Sequence, residues 1–281
     1  LTKHNKLYFY QGIYNLVKII HPTIVPFKGF LIEKNIYGGE NISIYTKSMK
    51  NGSLEDIIEK VIKRQIEFDN TKKQIILVGI ARGMMILHRE SIIHKNLKPS
   101  NILLDENFKP KICDFALSKF YTLNYEGMIP YMAPEVIKDS KEPLKKPYLK
   151  SDVYSNHTVK SDVYSFGILM YEIITCHRAY PEELYEEPLK LFDEIKKGKT
   201  PYFSLKKIKK KNLRRMIRFC LSKDPHKRPT FSELYNKLSI SEEVFFKEPG
   251  KGICKPKIND SEYDDDYSDS DDSDDEVYNL N

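Results

Sequence analysis

The segment that most constrains the fold of this chain is the run KKQIILVGIARGMMILHR, residues 72–89. It predicts one long α-helix that is apolar over much of its surface and must therefore be covered by other elements. No apolar run approaches the roughly 18 residues of a membrane span, and no signal-peptide pattern opens the sequence. We therefore expect this helix to be buried inside a globular body and not in a membrane.

Shorter elements surround the long helix. Residues 8–20 have apolar side chains at helical spacing, and strand-like segments follow the turn at residues 21–22 and lie within NISIYTK. Ser53 and Asp56 form a capping-box pattern for another helix. The runs SIIH, NILL and PKIC predict short strands, whereas helical patterns dominate from residue 162 onward. A few strands followed by a mainly helical half predict an α+β fold with two lobes.

The sequence KSDVYS occurs at residues 150–155 and again at residues 160–165. Only the second copy runs directly into an apolar helical pattern, FGILMYEII. We therefore predict that a helix begins at the second copy and that the first copy lies in a lengthened loop.

The composition limits the number of domains and the kinds of cysteine site that the chain can form. A chain of 281 residues with 40% hydrophobic residues can form one sizeable domain and a tail. The cysteines are scattered and show no CxxC spacing, so reduced thiols are favoured over a disulfide framework or a zinc site.

Charge is distributed unevenly between the body and the end of the chain. Of the 40 acidic residues, 11 lie in residues 260–276, which contain no Lys or Arg. The rest of the chain therefore has 29 acidic and all 46 basic residues, so the body is strongly basic. We expect this acidic tail to be disordered and the basic body to carry solvated helices, with nucleic acid an unlikely partner.

For KKIKKKNLRR, residues 206–215, a solvated helix start is favoured over a nuclear signal or an acidic-partner patch. Ser268, Ser270 and Ser273 precede acidic residues, as acid-directed kinases prefer.

Seven motifs occur in a fixed order between His21 and Leu238. They are HPTIV, NGSLEDII, HKNLKPSN, DFA, YMAPEV, SDVYSFGILMYEI and DPHKRPTFSEL. Together they resemble the protein-kinase fold, most closely its tyrosine-kinase-like group. The resemblance implies an α+β protein-kinase-like fold with a mainly helical large lobe and a truncated small β lobe. The implied divisions are 1–50 for the small-lobe remnant, 51–243 for the large lobe and 244–281 for the acidic, disordered tail.

The resemblance assigns roles to residues of the two central loops. Asn101 and Asp114 match the magnesium ligands of the family, and Lys98 matches the lysine that neutralises the transferring phosphate. ATP and Mg²⁺ are the implied cofactors if any nucleotide binds. For the nucleotide, Thr46 matches the gatekeeper and Met49 offers its backbone to adenine.

Two further residues complete the implied nucleotide pocket. Leu103 matches the residue beneath the adenine ring, and Cys113 lies at the back of the pocket. For Cys113, a small buried hydrophobe is favoured over a redox role.

Several residues depart from the family pattern. Asn96 occupies the position of the catalytic Asp, and an amide cannot accept the proton of the substrate hydroxyl, a role typically worth about 10²–10⁴ in rate. Met128 replaces the Thr that bonds this Asp in Ser/Thr-directed members. Lys95 replaces an Arg that forms bidentate contacts, and Ala116 replaces the metal-loop Gly.

The first 20 residues lack other parts of the expected machinery. They contain no G-x-G-x-x-G and no V-A-I-K-like strand, and Gln11-Gly12 stands where the ion-pairing Glu is expected. Lys3 and Lys6 lie too close to the first helix to replace the strand lysine, so we expect both to be solvated.

The residues that support the large lobe are retained. The resemblance makes His94 and Phe115 part of a packed spine, and Asp162 the carboxylate that holds the catalytic-loop backbone. Glu135 and Arg228 match a buried ion pair.

The favoured function is a catalytically impaired pseudokinase that acts as a binding or scaffold module in signalling, in the cytoplasm or, less favoured, the nucleus. Its expected partners are other signalling proteins or kinases, and an acid-directed kinase would phosphorylate the tail. One alternative is an active ATP-dependent Ser/Thr kinase whose small lobe is encoded upstream, since the sequence begins at Leu1 and not Met. Another is a degenerate gene remnant.

Overall fold

The computed structural model describes residues 3–34, 40–115, 127–138, 157–197, 205 and 208–240. The helices are α1 (Lys3–Lys18), α2 (Leu54–Ile62), α3 (Asn70–Arg89), α4 (Pro134–Lys138), α5 (Val159–Thr175), α6 (Glu182–Glu186), α7 (Pro188–Lys196), α8 (Lys211–Cys220) and α9 (Phe231–Ile240). The strands are β1 (Phe27–Lys34), β2 (Glu40–Thr46), β3 (Ile102–Leu104) and β4 (Pro110–Ile112). This mostly helical arrangement with two small sheets confirms the predicted α+β fold with a truncated small lobe.

The small lobe consists of α1 and the antiparallel pair β1–β2. Helix α1 begins earlier and ends earlier than the predicted 8–20. Phe9 is buried and meets Phe30 of β1 edge to face, with ring centroids 5.2 Å apart. Lys6 Nζ lies 3.0 Å from Glu40 Oε1 while its side chain is 44% exposed, so Lys6 is solvated as predicted but also makes an ion pair that was not predicted. This ion pair joins α1 to the first residue of β2.

Helix α3 lies at the centre of the large lobe, as its apolar sequence predicts. Its buried face includes Ile76, Leu77, Ile80 and Leu87, and α3 packs against α5, α9 and β4. Asp69 caps the helix by accepting the Lys72 N–H at 2.8 Å.

Two glycines allow β4 to approach α3 closely. A Cβ added at Gly83 would lie 2.6 Å from Ile112 Cδ1 and 2.7 Å from Thr23 Oγ1. A Cβ at Gly79 would contact the ring of Pro110 at a similarly prohibitive separation. At Gly79 the obstacle is a rigid proline ring, so a larger residue there would press β4 away from the helix, whereas at Gly83 the obstacles are the ends of two side chains.

Helix α5 begins at the second copy of KSDVYS, as predicted. Thr158 is its N-cap, and the side chains of Thr158 and Ser161 bond reciprocally to each other's backbone N–H groups. The first copy lies outside the described residues, as do Ala116 and the acidic tail.

Strands β3 and β4 connect the lobes. Val25 N donates to Ile112 O at 3.0 Å, and Leu104 N donates to Gly52 O at 2.9 Å. The predicted strand SIIH is irregular instead. Its backbone donors have other acceptors, because Ile92 N bonds Leu87 O at 2.9 Å and His94 N bonds the side chain of Asp162.

Helices α7, α8 and α9 confirm the helical patterns predicted for the C-terminal half. Helix α6 was not predicted as a separate helix. None of the helices in the part of the chain that the structure describes is long and apolar enough to cross a membrane.

Glu135 and Arg228 form the predicted ion pair. Arg228 donates from both terminal nitrogens to the Glu135 carboxylate, at 2.6 and 2.8 Å, and its side chain is fully buried. It also donates to the carbonyls of Ser222 and Lys160, at 2.9 Å each. One guanidinium therefore connects α4, α5 and the segment after α8.

We expect Arg228→Ala to lower the free energy of unfolding by about 3–5 kcal/mol, because it leaves a carboxylate without its buried partner. Urea unfolding at neutral pH measures this change. The matched control is Lys227→Ala at the exposed neighbouring position, where a change within about 0.5 kcal/mol is expected. Equal effects of the two substitutions would contradict the structural role of the pair.

A second prediction concerns His157, which is 8% exposed and directly precedes the N-cap of α5. Burial lowers the pKa of His157 from 6.5 to about 4. As the pH falls below about 6.5 the unfolded chain gains a proton that the folded protein does not bind until about 4, so stability is lost in this window. We expect a loss on the order of 2–3 kcal/mol, measured by urea unfolding between these pH values.

The variant His157→Gln should remove this part of the pH dependence. The parent protein, unfolded under the same conditions, supplies the reference slope. An identical slope in the His157 variant would refute the assignment.

Candidate active site

The loop that carries the predicted site residues is held by one carboxylate. Asp162, at the start of α5, accepts the N–H groups of His94 at 2.8 Å and Lys95 at 2.9 Å. His88 Nε2 lies 2.8 Å from Asp162 Oδ2. Burial alone would raise the pKa of Asp162, but the hydrogen bond and charge of His88, with the contribution of His94, hold it below its ordinary value. The predicted role of Asp162 is confirmed.

Asn96 lies in this loop with its backbone fully engaged. Its N–H donates to His94 Nδ1 at 3.3 Å, and its carbonyl accepts Asn101 Nδ2 at 2.8 Å. The side-chain oxygen Oδ1 is buried and has no hydrogen-bond partner among the residues that the structure describes. A buried oxygen of this kind is rare in folded proteins, because it loses its hydration without replacement.

Met128 lies near Asn96 and offers it no hydrogen-bond donor. It is 3% exposed and, with Asn96, Leu97 and Tyr131, it lines a small cavity beside the loop. A thioether has no O–H or N–H group. The two residues that depart from the family pattern therefore lie at the same cavity.

Asn101 connects the catalytic loop to the metal loop. Its Nδ2 is used by Asn96, which leaves Oδ1 as the atom that a cation would bind, and its carbonyl accepts Cys113 N at 3.0 Å. Asp114 follows Cys113 directly, is exposed and has a left-handed backbone with φ of 62°. Amide and carboxylate oxygens fit Mg²⁺. Among the described residues no cluster of three or more His, Cys, Asp or Glu could hold a metal, so the remaining ligands would come from phosphate and water.

Lys98 is half-buried and oriented by neighbouring charges. Burial lowers the pKa of Lys98, while Glu55 and Asp114 act in the opposite direction. A Cβ at Gly127 would lie 3.0 Å from Lys98 Nζ, so the ammonium lies next to the chain that leads into α4. Such a cation suits an anionic group placed between the two loops.

The predicted nucleotide residues lie at the junction between the lobes. Thr46 ends β2 and is exposed, and Leu103 on β3 is half-buried and forms a bridge with Ser53. Burial raises the pKa of the Cys113 thiol, which agrees with a small buried hydrophobe and not with a reactive thiol. The Met49 side chain lines a groove of about 620 Å³ together with Phe108. No sequence pattern pointed to this groove.

Two supporting groups were missed by the sequence analysis. His88 provides the third contact to Asp162, and its only local indication is its position at the end of α3. The fully buried Glu172 accepts the hydroxyls of Tyr131 at 2.7 Å and Tyr185 at 3.0 Å. Glu172 therefore anchors the segment that precedes α4, and nothing in its apolar helix marked it in advance.

Comparisons with known proteins agree with this geometry. A sequence profile described as protein tyrosine and serine/threonine kinase matches residues 1–238. The chain is 38% identical to cysteine-rich receptor-like protein kinase 28 of Arabidopsis thaliana over 180 residues, 59% of this chain and 23% of the relative. It is 30% identical to a probable serine/threonine-protein kinase of Dictyostelium discoideum over 249 residues, 85% of this chain and 21% of the relative.

A G-type lectin S-receptor-like serine/threonine-protein kinase of Arabidopsis thaliana is 38% identical over 185 residues, 62% of this chain and 20% of that protein. In these three comparisons the chain spans between a fifth and a quarter of the length of the relative.

The contacts of Asp162 generate a third prediction. In Asp162→Asn one oxygen is replaced by a donor, so one loop N–H loses its acceptor, and we expect a destabilisation of about 2–4 kcal/mol at pH 7. Because the pKa of Asp162 is lowered in the folded state, its contribution is present above the ordinary value of 3.8 and lost as the pH falls through the lower folded value. The difference between variant and parent should therefore shrink in acid.

Urea unfolding at pH 7 and in the acidic range measures this difference. Asp193→Asn, at an exposed position of α7, is the charge-matched control and should change stability by less than about 0.5 kcal/mol. A difference that stays constant down to the acid limit would show that the ionised carboxylate is not what holds the loop.

Proposed function

Because the chain belongs to the family of protein tyrosine and serine/threonine kinases, we propose that it is a catalytically impaired member of its tyrosine-kinase-like group. In this proposal the domain is a pseudokinase that acts as a binding or scaffold module in signalling. Its partners would be other signalling proteins or kinases.

Asn96 is the observation that carries the proposal. Phosphoryl transfer in this family uses a catalytic-loop Asp to accept the proton of the substrate hydroxyl. Here the loop backbone is held by Asp162 and Asn101, but the side chain that it presents is a neutral amide, whose buried oxygen has no partner within the described part of the chain. An amide does not take up a proton near neutral pH, so the step has no base at this position.

Helix α1 supports the proposal independently. The family pairs a strand lysine with a glutamate on this helix to hold the nucleotide phosphates. None of the 16 residues of α1 is Asp or Glu. At the expected position Gln11 is exposed and Gly12 is buried, so α1 presents no carboxylate to a lysine.

The supporting structure of the large lobe is retained although catalytic groups are not, and this favours a binding role. The ion pair of Glu135 and Arg228 and the contacts of Asp162 maintain the large lobe, while the catalytic base and the carboxylate of α1 are replaced. Asn101, Asp114 and Lys98 would hold Mg²⁺ and phosphate if ATP binds, and the ion would then shield phosphate charge. The three residues themselves would position an anion between the two loops.

We expect the purified chain to leave a generic protein substrate unphosphorylated in the presence of Mg²⁺ and ATP, measured by transfer of labelled phosphate. The variant Asp114→Ala is the control, because it removes a metal ligand and should leave the background signal unchanged. Phosphorylation that disappears in Asp114→Ala would overturn the proposal.

The second candidate is an active Ser/Thr kinase whose small lobe is completed by upstream residues. It is favoured by the small lobe itself, where β1 and β2 form a two-stranded sheet and Leu7, Tyr14 and Tyr45 are 68%, 61% and 52% exposed. Sheets of two strands are marginal alone, and additional strands would cover apolar surface.

A chain extended upstream distinguishes the two candidates. A thermal shift with Mg²⁺ and ATP in the extended chain, together with phosphoryl transfer, favours the active kinase. A shift without transfer favours a nucleotide-binding scaffold.

A further inference from the structure

Helix α8 carries a basic face that the proposed function does not use. This basic face consists of Lys211, Arg214, Arg215 and Arg218, which follow one another at spacings of three, one and three residues on one side of the helix. Lys209 and Lys210 directly precede it. Over residues 205–223 the sequence has nine basic residues and no Asp or Glu.

The packing of α8 fixes this face toward the outside. Its opposite side, with Leu213, Ile217 and Cys220, is buried against α5. A Cβ added at Gly167 of α5 would lie 2.8 Å from Cys220 Cβ, so the two helices are in close contact and α8 has no freedom to rotate. The exposed Phe219 lies beside Arg215, whose guanidinium is 5.8 Å from the ring centroid.

One arginine of the basic face and the two lysines that precede it make no salt bridge with a described residue. Within the described residues, no salt bridge involves Lys209, Lys210 or Arg218. Like charges three and four positions apart repel each other on a helix. The first turn of α8 also contains no acidic residue, so the positive end of the helix dipole adds to the field of Lys209 and Lys210. An anionic segment placed here would relieve both effects.

We propose that the acidic segment 260–276 of the same chain binds the basic face of α8. The segment carries 11 Asp and Glu residues and no Lys or Arg, which complements nine basic residues without an acidic one. Helix α9 ends at Ile240, so 19 residues separate it from the segment. A chain of that length reaches at most about 65 Å when extended and about 24 Å on average as a random coil, enough to cover a domain of this size.

The covalent connection of the acidic segment to the chain favours it over an anionic ligand from solution. A segment tethered by a short chain is present at an effective concentration in the millimolar range. An acidic partner or a nucleic acid from solution must compete with it for the same side chains. The tail therefore acts as a built-in competitor for anionic ligands of α8.

The tail also contains sites at which this interaction can be strengthened. Ser268, Ser270 and Ser273 lie among Asp residues, and each phosphate adds about −1.5 to −2 charges near pH 7. Transfer of the γ-phosphoryl group from ATP to the serine oxygen, with release of ADP and a proton, places this charge inside the segment. Phosphorylation should therefore tighten the contact with the basic face.

Zero-length carbodiimide cross-linking of the full chain tests the proposal, because it joins carboxylates to lysines only at contact. We expect cross-links from segment 260–276 to Lys209, Lys210 and Lys211, mapped by mass spectrometry. Arg215→Glu/Arg218→Glu keeps these lysines and should lower the yield about fivefold or more, since it converts attraction into repulsion. Lys28→Glu/Lys34→Glu makes the same change in charge on β1 and should leave the yield unchanged.

Three outcomes would overturn the proposal. The first is a yield that is equal in both double variants. The second is cross-linking between chains in a mixture of isotope-labelled and unlabelled protein, which would assign the face to a second copy. The third is a labelled DNA duplex whose binding is lost in Arg215→Glu/Arg218→Glu while the tail cross-links persist, which would assign the face to nucleic acid.

Phosphorylation supplies a second readout. After treatment with an acid-directed kinase, the salt concentration that halves the cross-link yield should increase, because more charges must be screened. Ser268→Ala/Ser270→Ala/Ser273→Ala should abolish this increase. A decrease on phosphorylation would refute the role assigned to the serines.

Discussion

The carboxylate of Asp162 is the contact on which the central part of the structure depends. It joins the first turn of α5 to the backbone of His94 and Lys95 and to the end of α3 through His88. Because both of its oxygens accept N–H groups, it fixes the direction in which the following loop leaves the helix. The positions of Asn96, Lys98 and Asn101 then follow from a loop whose first residues cannot move independently.

In this loop, backbone groups maintain the shape, whereas the proposed chemistry depends on side chains. The backbone of Asn96 makes bonds that any residue could make, and these are intact. The side chain is where the proposed loss of chemistry would lie, since an amide stands at position 96 and a thioether at position 128. The backbone geometry of the loop does not report this difference, because only the identity of the two side chains carries it. The same division applies to α1, which keeps its helix and its packing but has no carboxylate.

Local signals made part of this structure predictable. The capping pattern at Ser53 and the apolar run within α5 placed helices correctly, and the choice between the KSDVYS copies has a physical reason. Thr158 caps the second copy, whereas the equivalent residue ten positions earlier is Tyr148, whose phenol is not an N-cap acceptor. The contacts of Lys6 with Glu40 and of His88 with Asp162 join residues 34 and 74 positions apart, so no local pattern announced them. The roles assigned to the site residues all stay predictions, namely those of Asn96, Lys98, Asn101, Asp114, Thr46, Met49, Leu103 and Cys113.

The close approach of α3 and β4 has a consequence for how sequence variation in this protein would be interpreted. Gly79 and Gly83 set the separation between the long helix and the strand that leads, two residues later, to Asp114. A methyl group at Gly79 would meet the rigid ring of Pro110 and press on this strand, whereas at Gly83 it would meet the ends of the Ile112 and Thr23 side chains. A variant at Gly79 would therefore act on the strand that precedes Asp114, although the two residues lie 35 positions apart in the sequence. Sequence variation in the middle of this helix is thus limited by the strand packed against it as well as by the helix itself.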